Sequence, residues 1–246
     1  LREHDPVFWS EATRAWILTG HEAVREAFAD ARLSSDRLGP MWARLDDAGR
    51  AALDEAFALL RGWMVFRDPP VHEALRDPVG RAFTPRRVER LDARIRAIVD
   101  EHLDRMEAAG RAELVGDYAF PLPAIVIAEL LGAPARDRDR FKAWSRQLSG
   151  LVLGAVERGQ RDASAAAGAA EFTRYFRELV RLREKEPGDD LVSALVAARD
   201  SERGLDEDLL VGACTLLLFG GHETTTTLIA SGTALLLEHP DQLERL

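Results

Sequence analysis

The chain has 246 residues, of which 46% are hydrophobic and 30% charged, and its formal net charge is −9. This is the composition of an ordinary globular domain with one sizeable core, and the acidic balance argues against nucleic-acid binding. The single cysteine, Cys214, excludes an internal disulfide framework and a Cys-x-x-Cys zinc site, which fits a reducing, cytoplasmic location. The apolar run at residues 209–219 is shorter than the roughly 20 residues that cross a bilayer, so we expect no membrane span.

A short pair of strands begins the chain, and helical patterns follow it. Residues 7–9 and 15–18 are β-prone runs separated by the polar segment SEATR, which predicts a small hairpin. Beyond it, apolar residues spaced three and four apart predict helices, and glycine and proline breakers separate them. The predicted helices cover residues 22–30, 41–60, 71–83, 85–109, 120–131, 135–156, 163–184, 190–198 and 205–238. Together they predict one mostly α-helical domain.

Both ends of the sequence look cut. The chain starts at Leu1, and it stops at Leu246 inside a pattern that predicts a helix beginning after Pro240. We therefore expect an interior piece of a longer protein.

The most unusual segment, residues 209–229, is a long apolar helical pattern interrupted by two glycines, a His-Glu pair and four threonines. An interior glycine costs a helix roughly 1 kcal/mol relative to alanine, and consecutive threonines are stiff at χ1. Thr224 lies one turn after Gly220, so its hydroxyl can bond the Gly220 carbonyl and bend the helix. With the bare backbone at Gly221, this predicts a bulge that opens a polar pocket in an apolar wall. Glu223 places a carboxylate beside that pocket, where it could pass protons through water.

Other interpretations of this segment are available. An irregular packing contact against a neighbouring helix is the simplest alternative. A zinc-protease site lacks its second histidine, because Thr226 occupies the position one turn after His222. A Cys–His nucleophile pair is excluded, since Cys214 and His222 would lie about 12 Å apart along the helix axis. Cys214 is best interpreted as a small buried hydrophobe.

A second motif, DPPVHEALR at residues 68–76, starts a helix with proline near its first turn. It places His72 and Arg76 four residues apart, on one helix face. Both side chains can donate charge-assisted hydrogen bonds, so the pair is suited to a carboxylate or a phosphate. A solvated helix surface without a ligand is the alternative.

Taken together, these segments resemble the bacterial cytochrome P-450 family, the haem-thiolate monooxygenases. MVFRDPPVHEALRDPVGRAFTPRRV is similar to that family's C-helix region, and DDLVSALVAA to the helix before its long I helix. FGGHETTTT is similar to the oxygen-binding kink of the I helix, HPDQLERL to the start of the next helix, and ILTGHEAVREAFADARLSSDR to the early strand and B helix. The resemblance covers nearly the whole chain, in the family's order. It implies a mostly α, cytochrome P-450-like helical fold with a small β-hairpin near the N-terminus, in which residues 1–246 form a partial single domain, incomplete at the C-terminus.

The resemblance also implies a cofactor and residues that hold it. The cofactor would be haem b, with dioxygen as the co-substrate. His72 and Arg76 would hold the haem propionates, and Phe83 would lie near the edge of the macrocycle. No other metal is expected.

On the long helix, the resemblance implies that Gly220 and Gly221 line the groove in which dioxygen binds. Thr224 would hydrogen-bond the bound oxygen, and Glu223 would be the acid of an acid–alcohol pair that relays protons for O–O cleavage. The apolar side chains that would face haem or substrate are Leu217, for haem, and Leu216 and Phe219, for substrate.

One part of the family pattern is missing. The E-x-x-R helix and the F-x-x-G-x-x-x-C-x-G haem loop would lie beyond Leu246, so the proximal thiolate is not in this chain. Cys214 cannot replace it, because it precedes Thr224 by about ten residues on the oxygen side of the haem. Without a thiolate there is no axial push for O–O cleavage. We therefore expect that the 246-residue chain alone does not form a thiolate-ligated haem.

For the full-length parent, the resemblance implies a cytoplasmic monooxygenase that inserts one oxygen atom into an apolar small molecule. Its electrons would come from a ferredoxin-type partner, and substrate specificity would come from variable segments around residues 38–64 and 148–156. The candidate arginines for docking an acidic partner, if they are not simply a solvated face, are Arg76, Arg81, Arg86, Arg87 and Arg90. The alternative function is a non-catalytic helical binding protein that retains the scaffold and binds a hydrophobic ligand or partner.

Overall fold

The computed structural model describes residues 2–153, 158–201 and 206–246. Among these residues, strand structure is confined to one hairpin, in which β1 (Val7–Ser10) pairs antiparallel with β2 (Ala15–Leu18). Phe8 lies opposite Ile17 in this register. The predicted hairpin and the mostly α-helical fold class are confirmed.

Helices form the rest of the ordered framework. Three short turns have other helical types. Two are 3₁₀ turns, at Met64–Phe66 and Ala135–Asp137, and one is a π-helical turn at Val115–Ala119. The helices are α1 (His21–Ala29), α2 (Leu38–Ala43), α3 (Asp47–Arg61), α4 (Val71–Ala82), α5 (Pro85–Ala109), α6 (Pro121–Leu131), α7 (Arg138–Leu153), α8 (Arg158–Lys185), α9 (Leu191–Ser201), α10 (Glu207–Glu238) and α11 (Pro240–Leu243).

The prediction of one helix over residues 41–60 is wrong. The chain forms α2 and α3 instead, because the Asp46 carboxylate accepts a hydrogen bond from the Gly49 backbone N–H at 2.8 Å and starts a new helix there. A side-chain cap of this kind satisfies one of the unpaired N–H groups of the first turn.

Two more boundaries differ from the prediction. The helix predicted over residues 135–156 begins as a 3₁₀ turn and continues as α7, and residues 154–156 lie outside the described residues. The helix predicted from residue 163 begins earlier, at Arg158. Gly204 and Leu205, the predicted breaker and first residue of the last long helix, also lie outside the described residues.

The first half of α10 lies in the centre of the core. The helix begins where Asp206 accepts a hydrogen bond from the Leu209 backbone N–H at 2.8 Å, and it packs against α3, α6, α8 and α9. Burying a large apolar side chain of this core contributes about 1.5–3 kcal/mol to folding. Its largest fully buried side chains include Leu53, Trp63, Phe57, Phe141, Phe172 and Phe176.

The backbones of α3 and α10 cross at two glycines. A Cβ added at Gly212 would lie 2.5 Å from the Cα of Gly62, and one added at Gly62 would lie 2.8 Å from the Cα of Gly212. Such distances are possible only because neither residue has a side chain. The crossing brings the turn after α3 directly against the second turn of α10.

Helix α6 is buried on nearly all sides, as its continuous apolar sequence predicts. It ends at Gly132, whose φ of 74° is left-handed and whose N–H bonds back to the Glu129 carbonyl. A Cβ at this glycine would also meet the Asp190 carboxylate. The glycine therefore both ends the helix and leaves room for Asp190, just before α9.

Candidate functional site

An apolar cavity of about 540 Å³ lies between α4, α6, α10 and the 3₁₀ turn Met64–Phe66. Arg76 supplies the charged group in its lining, and the other lining side chains are apolar or absent. This is the usual character of a small-molecule or cofactor site, an apolar wall with few polar groups. The lining residues are Met64, Val65, Arg76, Val79, Gly80, Phe83, Ile127, Leu216, Leu217, Gly220 and Gly221.

The structure brings together many of the residues that the sequence singled out. Helix α4 supplies Arg76 to the cavity, and Phe83 follows at the end of that helix. Helix α10 supplies Leu217, Gly220 and Gly221, which lie three to four residues apart and so share one helix face. Two motifs that are about 140 residues apart in sequence therefore line one cavity.

Gly220 and Gly221 of α10 have different surroundings, although nothing in the sequence distinguished them. A Cβ added at Gly220 would meet nothing within 4 Å, so this position opens directly onto free space. A Cβ added at Gly221 would lie 2.8 Å from Cγ1 of Ile127 on α6. Gly220 therefore enlarges the cavity, whereas Gly221 lets α6 approach α10 closely.

The expected break in the long helix is not present. Helix α10 continues without a change of helix type from Glu207 to Glu238. The Thr224 hydroxyl does donate a hydrogen bond to the Gly220 carbonyl, at 2.8 Å, as the spacing predicted. The opening beside this bond exists because Gly220 has no side chain, so a helical backbone can border a cavity without being interrupted.

His72 and Arg76 lie on one face of α4, as predicted, but they differ in position. Arg76 is exposed and lines the cavity, whereas His72 is half-buried and is not among the residues that form its wall. Asp68, just before the helix, interacts electrostatically with His72 and accepts hydrogen bonds from Ser34 and from the Ser35 backbone N–H. Those hydrogen bonds hold the pKa of Asp68 below its usual value, so it stays a carboxylate beside His72.

Glu223 faces a second cavity on another side of α10. This cavity, of about 260 Å³, lies between α10, α7 and the π-helical turn, and it contains two cations from α7, Lys142 and Arg146. Lys142 also places its ammonium 4.0 Å from the centre of the Phe120 ring. The remaining lining residues are Val115, His222, Thr226 and Thr227.

His222 is the innermost titratable group of the second cavity. It is 3% exposed, and its Nδ1 lies 2.7 Å from the Leu218 carbonyl oxygen, so this nitrogen carries the proton. Burial lowers the pKa of His222, although the Leu218 carbonyl and the nearby Glu223 act in the opposite direction. The ring is therefore neutral near pH 7.

Of the other α10 residues that the sequence singled out, Phe219 has surroundings that the sequence did not indicate. Phe219 is packed against Trp63, with ring centres 4.9 Å apart, and it is not part of the apolar cavity wall. Leu216 does line that cavity. Cys214 is fully buried and burial raises the pKa of its thiol, so it remains a protonated, inert side chain as expected.

Several residues of the apolar cavity were not predicted. Met64 and Val65 come from the 3₁₀ turn, Val79 from α4 and Ile127 from α6. Met64, Val65 and Ile127 belong to apolar runs, and Val79 belongs to the apolar face of α4. Both patterns are equally consistent with the core, so they do not mark these residues as part of a site.

The arginines proposed for docking are only partly described. Arg90 is paired with Asp189 at 2.7 Å, and Arg76 lines the apolar cavity. The side chains of Arg86 and Arg87 lie outside the described residues. Within the described part of the chain, no group of three or more histidine, cysteine or acidic residues could hold a metal ion, and no helix is long and apolar enough to cross a membrane.

The helical fold with its hairpin, and the long helix that borders an apolar cavity lined also by Arg76 of α4, are those of the cytochrome P450s. The recognition of the bacterial family is confirmed by the chain's relatives. The chain is 41% identical over 246 residues to the vitamin D(3) 25-hydroxylase of Pseudonocardia autotrophica, which covers 98% of this chain and 57% of that protein. It is 40% identical over 239 residues to the cytochrome P450 monooxygenase PikC of Streptomyces venezuelae, covering 96% of this chain and 53% of that protein.

A solved structure gives the same result for the fold. The crystal structure of P450BioI, in complex with an acyl carrier protein ligated to hexadec-9Z-enoic acid, matches with a TM-score of 0.89 at 30% identity. The match covers 100% of this chain and 62% of that one. No protein-family model matches the chain. The chain spans somewhat more than half the length of the curated relatives it matches.

Proposed function

We propose that the whole protein is a haem-dependent monooxygenase that inserts one atom of dioxygen into an apolar small molecule. The observation that carries this proposal is the apolar cavity lined by Gly220 and Arg76. A flat apolar macrocycle with two carboxylates suits such a cavity, since its faces would contact apolar side chains and one carboxylate would meet a guanidinium.

Haem b is the form of haem that we propose, and one observation in particular supports its fit to the residues of this chain. Gly220 leaves space where any other residue would place a Cβ, and the surrounding wall is apolar. In this assignment Arg76 holds a propionate, and His72 supports the second one. Phe83 and Leu217 contact the macrocycle, while Gly220 and Gly221 border the space for dioxygen. When bound, haem supplies the iron at which dioxygen is bound and reductively cleaved; its cysteine ligand would come from outside these 246 residues.

The proposed role of Thr224 is to position a proton beside the cavity. Its hydroxyl hydrogen is directed at the Gly220 carbonyl, which leaves the oxygen's lone pairs able to accept a hydrogen bond from a ligand or water. The hydroxyl is thus held one turn from the open glycine, in a fixed orientation.

The proposed role of Glu223 is to supply protons from the side of α10 that faces the second cavity. Lys142 and Arg146 line the same cavity and give it charged groups that attract water. Thr226 has a buried hydroxyl without a protein partner there, which a water molecule in the cavity would satisfy. Protons would therefore reach Glu223 through this cavity, separately from the apolar one.

The wider features of the proposal follow from the same assignment. The apolar lining favours an apolar small-molecule substrate, with Leu216 in contact with it, and a ferredoxin-type protein in the cytoplasm would supply electrons. A non-catalytic binding protein that keeps the scaffold remains the second candidate, because the apolar cavity would also hold a ligand without redox chemistry.

The test uses Thr224→Ala in the whole protein, with Thr225→Ala as the matched control. Thr225 also bonds a carbonyl one turn earlier, that of Gly221, at 3.4 Å, but it lies at the next position around the helix. We expect the Thr224 variant to consume dioxygen while releasing peroxide or water in place of product, because proton delivery is misplaced. Unchanged coupling in this variant would remove Thr224 from the mechanism.

A spectrum separates the two candidate functions. The whole protein should give the carbon monoxide difference spectrum of thiolate-ligated haem, and the 246-residue chain alone should not. A thiolate-type spectrum from the short chain would contradict the assignment of the cysteine, and its absence from the whole protein would favour the binding protein.

A further inference from the structure

A hydrogen bond between distant parts of the chain lies directly behind the apolar cavity. The indole N–H of Trp63 donates to the hydroxyl of Thr215 on α10 at 2.9 Å, and both side chains are almost fully buried. The Thr215 hydroxyl in turn donates to the Gly212 carbonyl at 2.8 Å. The indole N–H is therefore satisfied by one hydroxyl whose own orientation is fixed.

Trp63 also organises the 3₁₀ turn that follows it. Its ring stacks on Phe66 with centres 6.0 Å apart and an angle of 4° between the planes, and it contacts Phe219 of α10. The Phe66 N–H bonds the Trp63 carbonyl at 3.0 Å, which closes the turn. On the other side of the phenyl ring, the Arg37 guanidinium lies 4.7 Å from its centre.

The side chains carried by this turn, Met64 and Val65, form part of the wall of the apolar cavity. A single 3₁₀ turn has poor hydrogen-bond geometry and little stability of its own. Its position must therefore come from tertiary contacts, and Trp63 provides contacts to α10 on one side and to Phe66 on the other.

We propose that the Trp63–Thr215 hydrogen bond, supported by Phe219, is a specificity-determining contact that sets where Met64 and Val65 stand and so fixes the size of the apolar cavity. Trp63, Thr215 and Phe219 are positioning residues in this view, because the cavity wall does not include them. The inference deepens the proposed function and rests on it for the nature of the ligand.

The first measurement is local and needs no ligand. Thr215→Val keeps the shape of the side chain but leaves the buried indole N–H without an acceptor, so amide hydrogen exchange in a peptide covering residues 63–67 of the whole protein should become about tenfold faster. Thr215→Ser restores the hydroxyl and should return exchange close to that of the unmodified protein. Thr233→Val is the matched control, since Thr233 bonds only its own helix, at the Ile229 carbonyl.

The second measurement tests selectivity. Dissociation constants of imidazole and 4-phenylimidazole, read from the haem absorbance, give a preference for the larger probe. In Thr215→Val this ratio should change by about threefold or more, because the wall formed by Met64 and Val65 is no longer fixed, while Thr215→Ser and Thr233→Val should keep it.

The positioning role of the hydrogen bond and its role in specificity can be contradicted separately. Unchanged exchange in Thr215→Val, or an equal rise in Thr233→Val, would overturn the positioning role; faster exchange with an unchanged ratio would overturn the role in specificity. Should Thr215→Val not fold, Trp63→Phe removes the donor instead, and unchanged exchange in that variant would overturn the inference. If the whole protein binds no haem, the proposed function fails, and the exchange result still decides the role of the hydrogen bond.

Discussion

The two halves of α10 have similar apolar sequences and opposite surroundings. In the first half, residues 207–222, eight residues are buried, among them Leu218 and His222. In the second half, residues 223–238, none is buried, and Leu228 is 73% exposed. An apolar pattern therefore predicts the helix, while the elements packed against it decide which turns belong to the core.

Shortening one leucine in each half of α10 should give the largest difference in the free energy of unfolding between the two halves. Leu218→Ala should lower the free energy of unfolding by about 2–5 kcal/mol, because it leaves a cavity in a fully buried site. Leu228→Ala, the control, should change it by less than about 0.5 kcal/mol. Urea unfolding measures both values. Similar losses at the two positions would mean that the second half is also covered.

Substitution of one glycine in each half of α10 gives a second comparison of stability. Gly212→Ala should destabilise the protein by about 1–3 kcal/mol, because its Cβ would collide with the backbone of Gly62. A Cβ at Gly232, in the exposed half, would meet nothing within 4 Å. Gly232→Ala should therefore stabilise the helix by about 0.5–1 kcal/mol. Thermal unfolding of both variants checks the signs, and a stabilising Gly212→Ala would contradict the close crossing.

Gly220 should separate stability from function. Gly220→Ala should stabilise α10 by about 0.5–1 kcal/mol, as at Gly232, since its Cβ also meets open space. Unlike the control, it should weaken binding in the apolar cavity, because the added methyl group occupies that space. Binding of 4-phenylimidazole to the whole protein, together with the melting temperature, measures the two effects. Equal binding in Gly220→Ala and Gly232→Ala would show that the open glycine does not serve the site.

The smallest expected effect is the change in folding stability with pH that comes from His222. Burial lowers the pKa of His222 in the folded protein, so the folded state binds a proton less readily than the unfolded chain does. The stability that comes from the neutral ring is complete above the unfolded pKa of about 6.5 and is lost as the pH falls below it.

This contribution can be measured by comparing unfolding at about pH 7.5 and about pH 5.5. His222→Gln should reduce the loss of stability between the two, whereas His239→Gln, in an exposed position after the second half, should keep it. An identical pH dependence in the two variants would show that burial of His222 has no consequence for folding.

Much of the fold was predictable because it depends on local patterns. The hairpin, the long helices and the buried α6 follow from apolar periodicity and from glycine and proline breakers. The hydrogen bond from Thr224 to the Gly220 carbonyl was predicted from a spacing of four residues, and it is present at 2.8 Å. The division of residues 41–60 was missed, because a single aspartate cap was hidden within a continuous helical pattern.

The candidate site was predictable only where a motif marked it. Arg76, Phe83, Leu217 and Gly220 line the apolar cavity, and each belongs to a segment that the sequence singled out. Phe219 was expected to face the substrate; its ring contacts Trp63, and it is not among the residues that line the apolar cavity.

By itself, the sequence determined the helices, the hairpin, the kinship with cytochrome P450s and the residues of two motifs, since all of these follow from short-range order along the chain. Tertiary packing was needed for the rest. It makes Gly220 open a cavity while Gly221 admits α6, and it turns Glu223 toward a separate polar cavity. It also brings Trp63 within hydrogen-bonding distance of Thr215. The physical reason is that burial and open space are properties of the elements on both sides of a residue, and one segment does not specify what is packed against it.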